Sequence, residues 1–364
     1  MSKDWQDKIA VENDKILTEN ASARGPWERD STRFDDFRYG SHFSKAEEAE
    51  LLAFRQAPLP ISITTAICDT AESLMTSSKP IIKVAPIIHP YDDNLTDISK
   101  RVAAKYNYLV QKSWNDSLGD LQFDRVVRDY TNVGHGLFYV VPKNYYGEFS
   151  VEIKHINWRY FYPDCYTKDP FYRDMDNCCI AMEISEKAAY RFVKQYEREL
   201  TFEGFKENWL KKNSQLTINR YRTRYSPRYK STGVIFNTRY QLEEHKAYIA
   251  IYKKSDSVGR QEVKTYMKLS EELIKLAREG YVEIRERKEF FLTEYVSIGG
   301  LGYKNVYPVK CYNIIPMVYD HRDNPYPYGR IWYLYPIQRA INKFVMVAML
   351  NGAMINYTRI LSEK

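Results

Sequence analysis

The stretch Asn324-Pro-Tyr-Pro-Tyr-Gly-Arg-Ile-Trp-Tyr-Leu-Tyr-Pro-Ile-Gln-Arg-Ala-Ile-Asn-Lys343 changes character at its glycine. Up to Gly329 it is a turn set by two prolines and a glycine, and from Arg330 one helical pattern runs on to Leu361. Ile331, Leu334, Ile337, Ile341, Val345, Ala348 and Gly352 recur at steps of three and four, an apolar stripe on one side. The pattern stops at Ser362-Glu-Lys364 with no glycine cap or proline stop, so the reading expects the chain to continue past Lys364.

Working back from this helix, strand-like segments fill 281–319 and 216–266, separated by a helix opening near Ser270. Ahead of them come a strand over Cys179–Ile184, a helix capped by Ser185, and a hairpin of Leu137–Val141 with Phe149–Ile153 around Asn144 and Gly147. The front of the chain is helical. A capping box at Ser44 and Glu47 opens a short helix, Ile63, Ile67, Ala71 and Leu74 keep helical spacing, and helices follow over 94–115 and through Val126, Val127 and Tyr130 to a stop at Gly134. Between them Lys79–Pro86 reads as extended, and residues 1–43 read as a charged, irregular N-terminal arm. Helices, then a β-rich middle, then a long helix make an α+β fold.

The 364 residues carry a net charge of +7, with 44% hydrophobic and 28% charged side chains, a folded chain rather than a disordered one. Residues 211–240 hold eight of the 54 basic side chains and no acid, so the rest is close to neutral and the basicity is one local feature. Thirty-two tyrosines against 16 phenylalanines suggest many half-buried contacts of the kind found between subunits. The cysteines Cys68, Cys165, Cys178, Cys179 and Cys311 form no C-x-x-C pair and read as reduced thiols. The polar start and the lack of a long apolar run point to a soluble intracellular protein without a membrane span.

Catalytic signatures are missing: there is no Walker A loop, G-x-G-x-x-G, H-E-x-x-H or G-x-S-x-G. No enzyme activity, cofactor or resident metal is therefore expected. Asp164, Asp169, Asp174 and Asp176 could converge as in a two-metal nuclease, but their proline and asparagine neighbours favour turn-making. His135 between two glycines has no nucleophile partner at a recognisable spacing and reads as a helix-to-strand turn. In Asn219–Tyr225 the alternation puts Arg220, Arg222 and Arg224 on one face and Tyr221 and Tyr225 on the other. Such a strip either meets an acidic neighbour, such as another subunit, or binds single-stranded nucleic acid by following phosphates and stacking bases.

Five segments in order resemble the portal proteins of tailed, especially short-tailed, bacteriophages. They are Phe34–Gly40; Pro60–Met75 running into Lys79–Pro86; Trp114–Val127 leading to Asn132-Val-Gly-His-Gly136; Ile153–Asp164 with Asp174-Met-Asp176; and Asn324–Gly329 with Pro336-Ile-Gln-Arg-Ala-Ile-Asn342. Trp158 stands where proline is usual, and 200–300 carries no resemblance. The resemblance implies a non-enzymatic ring, usually a dodecamer, at one capsid vertex of the virion, assembled in the host cytoplasm. Its partners would be the major capsid protein, terminase, tail or adaptor proteins, and double-stranded DNA passing through the channel during packaging and ejection. It further implies an N-terminal arm over 1–43, a wing domain over 44–329, the start of a stem helix over 330–364, and a clip, second stem helix and crown beyond. Arg339, Lys343 and Arg359 are then candidates to face DNA, and Arg220, Tyr221, Arg222, Arg224 and Tyr225 to meet a subunit or the capsid. The alternative is a single-stranded nucleic-acid-binding protein using 219–225.

Overall fold

The computed structural model describes residues 3–362 except 55, 57, 89–92, 146–147, 198, 207–232, 253–261, 267–268, 299 and 321. Along the chain lie α1 (Lys3–Arg38), α2 (Lys45–Ala53), α3 (Ile63–Ser77), α4 (Asp93–Asp116), α5 (Gly119–Val133), β1 (His135–Tyr145) and β2 (Glu148–His155). Then follow β3 (Phe161–Pro163), β4 (Asn177–Ser185), α6 (Glu186–Tyr196), the one-turn α7 (Phe202–Phe205), β5 (Gly233–Tyr252) and β6 (Glu262–Tyr266). The order closes with α8 (Glu271–Arg278), β7 (Val282–Ile298), β8 (Leu301–Tyr307), β9 (Ile314–Val318) and α9 (Arg330–Ser362). This is the expected mixture of helix and sheet. The caps foreseen at Ser44 and Ser185 form, Ser270 caps the helix expected to open near it, and Gly134 ends α5 at φ 88°.

One expectation fails outright. The segment read as an irregular arm is the 36-residue helix α1. Its buried positions keep helical spacing throughout: Ile9, Asn13, Leu17, Asn20, Arg24, Trp27, Ser31, Phe34 and Arg38. Five of these nine are polar or charged, so no hydropathy stripe marks the helix in the sequence.

The molecule comprises two compact units, residues 1–22, 162–164 and 175–312 in one, and 23–161, 165–174 and 313–364 in the other. The first is a six-stranded sheet ordered β3-β4-β5-β7-β8, with β6 added on β5. Alternation assigns its faces. Val234, Val296 and Ile298 pack with Ala189 and Val193 of α6 and with Phe205, while Cys179 and Ala181 pack with Leu17 of α1. Asn13 Nδ2 donates to the Tyr295 carbonyl at 3.0 Å and its backbone carbonyl accepts from Asn237 Nδ2 at 3.2 Å, so the sheet answers its amide donor. Gly302 is needed where this helix passes, since a Cβ there would lie 2.5 Å from Ile9 Cβ. Tyrosine hydroxyls also find partners inside this unit. Glu294 accepts from Tyr240 and Tyr307 at 2.7 Å each, and Glu243 from Tyr295 at 2.5 Å. Part of the tyrosine excess thus serves the chain's own sheet.

The second unit is a three-stranded antiparallel sheet, β2-β1-β9, joined by α2–α5, the second half of α1, and α9. Its core has Phe34, Phe37, Cys68 and Ile331 in one cluster and Trp27, Val133 and Trp158 in another.

Candidate functional site

Phe37, residues 61–64, Asn132–Gly134 and Trp158, from four of the resembling segments, lie in the second unit with the fifth, at the root of α9. Helix α3 begins without a local cap, because the Ser62 side chain makes no capping bond. Its first-turn donor is taken instead by a residue far along the chain: the Thr64 N–H donates to Gln338 Oε1 at 3.0 Å, and the Thr64 hydroxyl does so at 3.1 Å. Gln338 Nε2 donates to the Ile61 carbonyl at 2.5 Å and to Asn342 Oδ1 at 3.0 Å. Asn342 Nδ2 in turn donates to His42 Nδ1 at 2.9 Å, and that ring stacks on Phe37 at 4.2 Å. Gln338 and Asn342 are each 2% exposed. Two buried amides one helical turn apart thus fasten α9 to the backbone of 61–64. Losing either would strand the other's partners.

This corrects the reading of α9. Of the expected apolar stripe, Ile331 is buried, but Ile337 is 58% exposed and Ala348 and Gly352 are exposed. The packed side runs through Ile331, Tyr335, Gln338 and Asn342, because the facing backbone at 61–64 offers donors and acceptors that hydrocarbon cannot satisfy.

Beside this anchor, Arg38 ends α1 at 3% exposure. Its guanidinium donates to both oxygens of Glu72, to Asp69 at 2.6 Å and to Asn132 Oδ1. Asn132 donates to Asp35 at 3.0 Å, and Asp35 accepts from Arg159 at 2.8 Å. The network therefore ties α1 to α3, α5 and the turn at Trp158. Buried and partnered, it fixes geometry more than it adds net stability.

Gly134 and Gly329, one from each of two resembling motifs, lie back to back. A Cβ on Gly134 would come 2.5 Å from the Tyr328 carbonyl carbon, and one on Gly329 would come 2.5 Å from the Asn132 oxygen. Trp27 Nε1 donates to the Pro327 carbonyl at 2.6 Å and its ring meets Trp158 edge-on at 5.4 Å. The tryptophan that departs from the family's proline is thus a core residue, 1% exposed. His135 sits in this aromatic nest with Nε2 2.5 Å from the Tyr172 hydroxyl. Burial, then the Arg24 charge, lowers its pKa to about 3, so it stays a neutral structural imidazole.

The aspartates make turns, as expected. Asp174 accepts from the Lys168 and Asp169 N–H groups at 2.8 and 3.2 Å, Asp169 from Phe171 at 3.0 Å, and Asp164 from Asp176 at 3.2 Å. Among the described residues no group of three or more His, Cys, Asp or Glu is placed to hold a metal, and no helix is long and apolar enough to cross a membrane.

Of the DNA-facing candidates, Arg339 pairs with Glu47 at 2.6 Å and donates to the Tyr335 hydroxyl at 3.0 Å, while Lys343 is exposed. The backbone of Arg359 lies within α9, and its side chain is outside the described residues. Arg220, Tyr221, Arg222, Arg224 and Tyr225 also lie outside the described residues.

A search of curated proteins finds no match to the chain. The family model of phage P22-like portal proteins matches residues 15–360, which takes in α1 from its fourth turn and nearly all of α9, so the chain belongs to the phage P22-like portal protein family.

Proposed function

We propose that this chain assembles with copies of itself into a closed ring at one capsid vertex, enclosing the channel through which DNA is packaged and ejected. Terminase and then tail or adaptor proteins dock on the ring. The family supplies the setting, a structural protein of the phage capsid vertex serving DNA packaging. The observation that carries the finer reading is the junction at Gln338 and Asn342, which roots a 33-residue helix in the body of the protein by buried amide bonds. A long helix fastened at its root and apolar beyond it suits a stem, with 44–329 as the wing and 330 onward as the stem.

In this reading Lys343, exposed, and Arg359, farther along α9, approach phosphates loosely, without reading sequence. Arg339, its charge already answered by Glu47, contributes less. Residues 219–225 act at a subunit or capsid contact. Replacing Arg220, Arg222 and Arg224 by Ala should weaken assembly or capsid docking and leave the melting temperature unchanged. If that variant assembles normally and loses single-stranded DNA binding, the nucleic-acid role for this strip wins instead. Negative-stain images of the purified chain should show closed rings with a central hole, and a strictly monomeric field would sink the ring.

A further inference from the structure

Helix α2 buries none of its residues, although nine residues are too few to hold a helix by propensity alone. Its capping box and the Glu47–Arg339 pair attach it to the chain. Glu48 and Glu50 form no ion pair among the described residues, and Leu52 and Phe54 are 63% and 68% exposed. It is an acidic, apolar-tipped element in search of a cover.

The same unit carries a second uncovered surface of opposite sign. The extended segment 80–88 is laid along α4 by Asn107, which accepts from the Val84 N–H at 2.6 Å and donates to the Val84 carbonyl at 3.1 Å. Ser99 accepts from the Ile87 N–H at 2.7 Å. These bonds hold the segment in place while Ile81, Ile87 and Ile88 stand 75%, 68% and 74% exposed. Next to it, Ile98, Val102, Tyr106 and Leu109 form the apolar stripe of α4, every member more than 40% exposed. Arg101, Lys105 and Lys112 recur at steps of four and seven, which places them together along one flank of that stripe. All three are exposed, and none has an acid partner among the described residues. A continuous aliphatic surface of this kind marks a contact on a soluble protein.

We propose that the two surfaces form one contact, with α2 of one copy seated on the α4 and 80–88 face of the next. The inference rests on the ring reading and names the surfaces that close it. Each side offers apolar side chains fringed by charge, acidic on α2 and basic on α4, so the pair is complementary in both respects. Because the surfaces differ, the contact is heterologous. Each copy keeps one of each free for the next neighbour, and the series ends only by closing on itself. A two-fold dimer would instead need one patch that complements itself.

Sedimentation of the full chain at low salt tests this. Ile98→Asp with Val102→Asp, and separately Glu48→Lys with Glu50→Lys, should each shift the assembly midpoint by about tenfold or more while leaving thermal melting unchanged, because all four side chains are at the surface. Adding Arg101→Glu and Lys105→Glu to the Glu48/Glu50 reversal should restore much of the assembly. Mixing the two defective chains should give dimers that grow no further, since each mixed pair has a single intact junction. If the wild type forms rings and the reversals do too, or if the four-fold reversal is no better than the double, the assignment of surfaces falls and the ring reading stands. A wild type that remains monomeric at high concentration overturns both.

Discussion

The two long helices invert what their sequences advertise. Helix α1 is charged and shows no apolar stripe, yet Asn13, Arg24, Ser31 and Arg38 on its inner side are 3% exposed or less. Helix α9 is rich in aliphatic and aromatic residues, yet beyond Asn342 its Phe344, Val347, Met349 and Leu350 are 76%, 48%, 52% and 38% exposed. Burial in α1 is possible because Asn13 bonds to the sheet, Arg24 to the carbonyls of Trp158 and Arg159, and Arg38 to α3 and α5. Exposure in α9 persists because none of the described residues covers those positions. A polar stripe at helical spacing can therefore be core, and an apolar helix can be surface awaiting another chain.

The strongest way to break this contrast is to remove Arg38. Arg38→Ala leaves Glu72, Asp69 and Asn132 facing an empty site and should cost about 3–5 kcal/mol, read as a fall in the denaturant midpoint. A cost below about 1 kcal/mol would mean that the polar stripe of α1 is incidental. Gln338→Ala should cost less, about 2–3 kcal/mol, through the uncapped Thr64 N–H and the orphaned Ile61 carbonyl. Gln338→Leu should be no better despite filling the space, and a leucine variant as stable as the wild type would refute the role of the amide.

Asp14 sharpens the comparison through pH. Burial alone raises its carboxyl from 3.8 to about 6, so the folded protein holds this proton more tightly than the unfolded chain. The benefit is complete below 3.8 and is lost as pH rises through about 6, so the wild type should weaken across that window. Asp14→Asn should remove that slope and gain about 1–2 kcal/mol at neutral pH, after allowance for the solvent that still reaches the group. Unfolding titrations at pH 4 and 7 on both chains decide it. The smallest effect is expected in α9: Phe344→Ser in the unassembled chain should change stability by less than about 0.5 kcal/mol. A loss above about 1 kcal/mol would show that this stretch packs within its own chain.

Local rules were legible wherever the controlling group lies within a few residues. Ser44, Ser185 and Ser270 accept from N–H groups three residues ahead, Gly134 has the positive φ a helix stop requires, and the aspartates at 164–176 hold nearby backbone N–H groups. The hairpin of β1 and β2 and the order of helix, sheet and long helix follow from the same short-range signals. Even the portal resemblance was carried by short motifs, because tight approaches such as Gly134 against Gly329 leave so few residues admissible.

What the sequence by itself determined, then, is the order of helices, sheet and long helix after α1, several of their caps and stops, and the family. Only the tertiary structure decided which side of each long helix is inside. The value of a buried amide or guanidinium depends on partners that lie 34 positions away for Arg38 and Glu72, 274 for Thr64 and Gln338, and 282 for Asn13 and Tyr295. Hydropathy assigns such side chains to water, while a hydrogen bond formed across the fold lowers the cost of burying them enough to reverse that assignment.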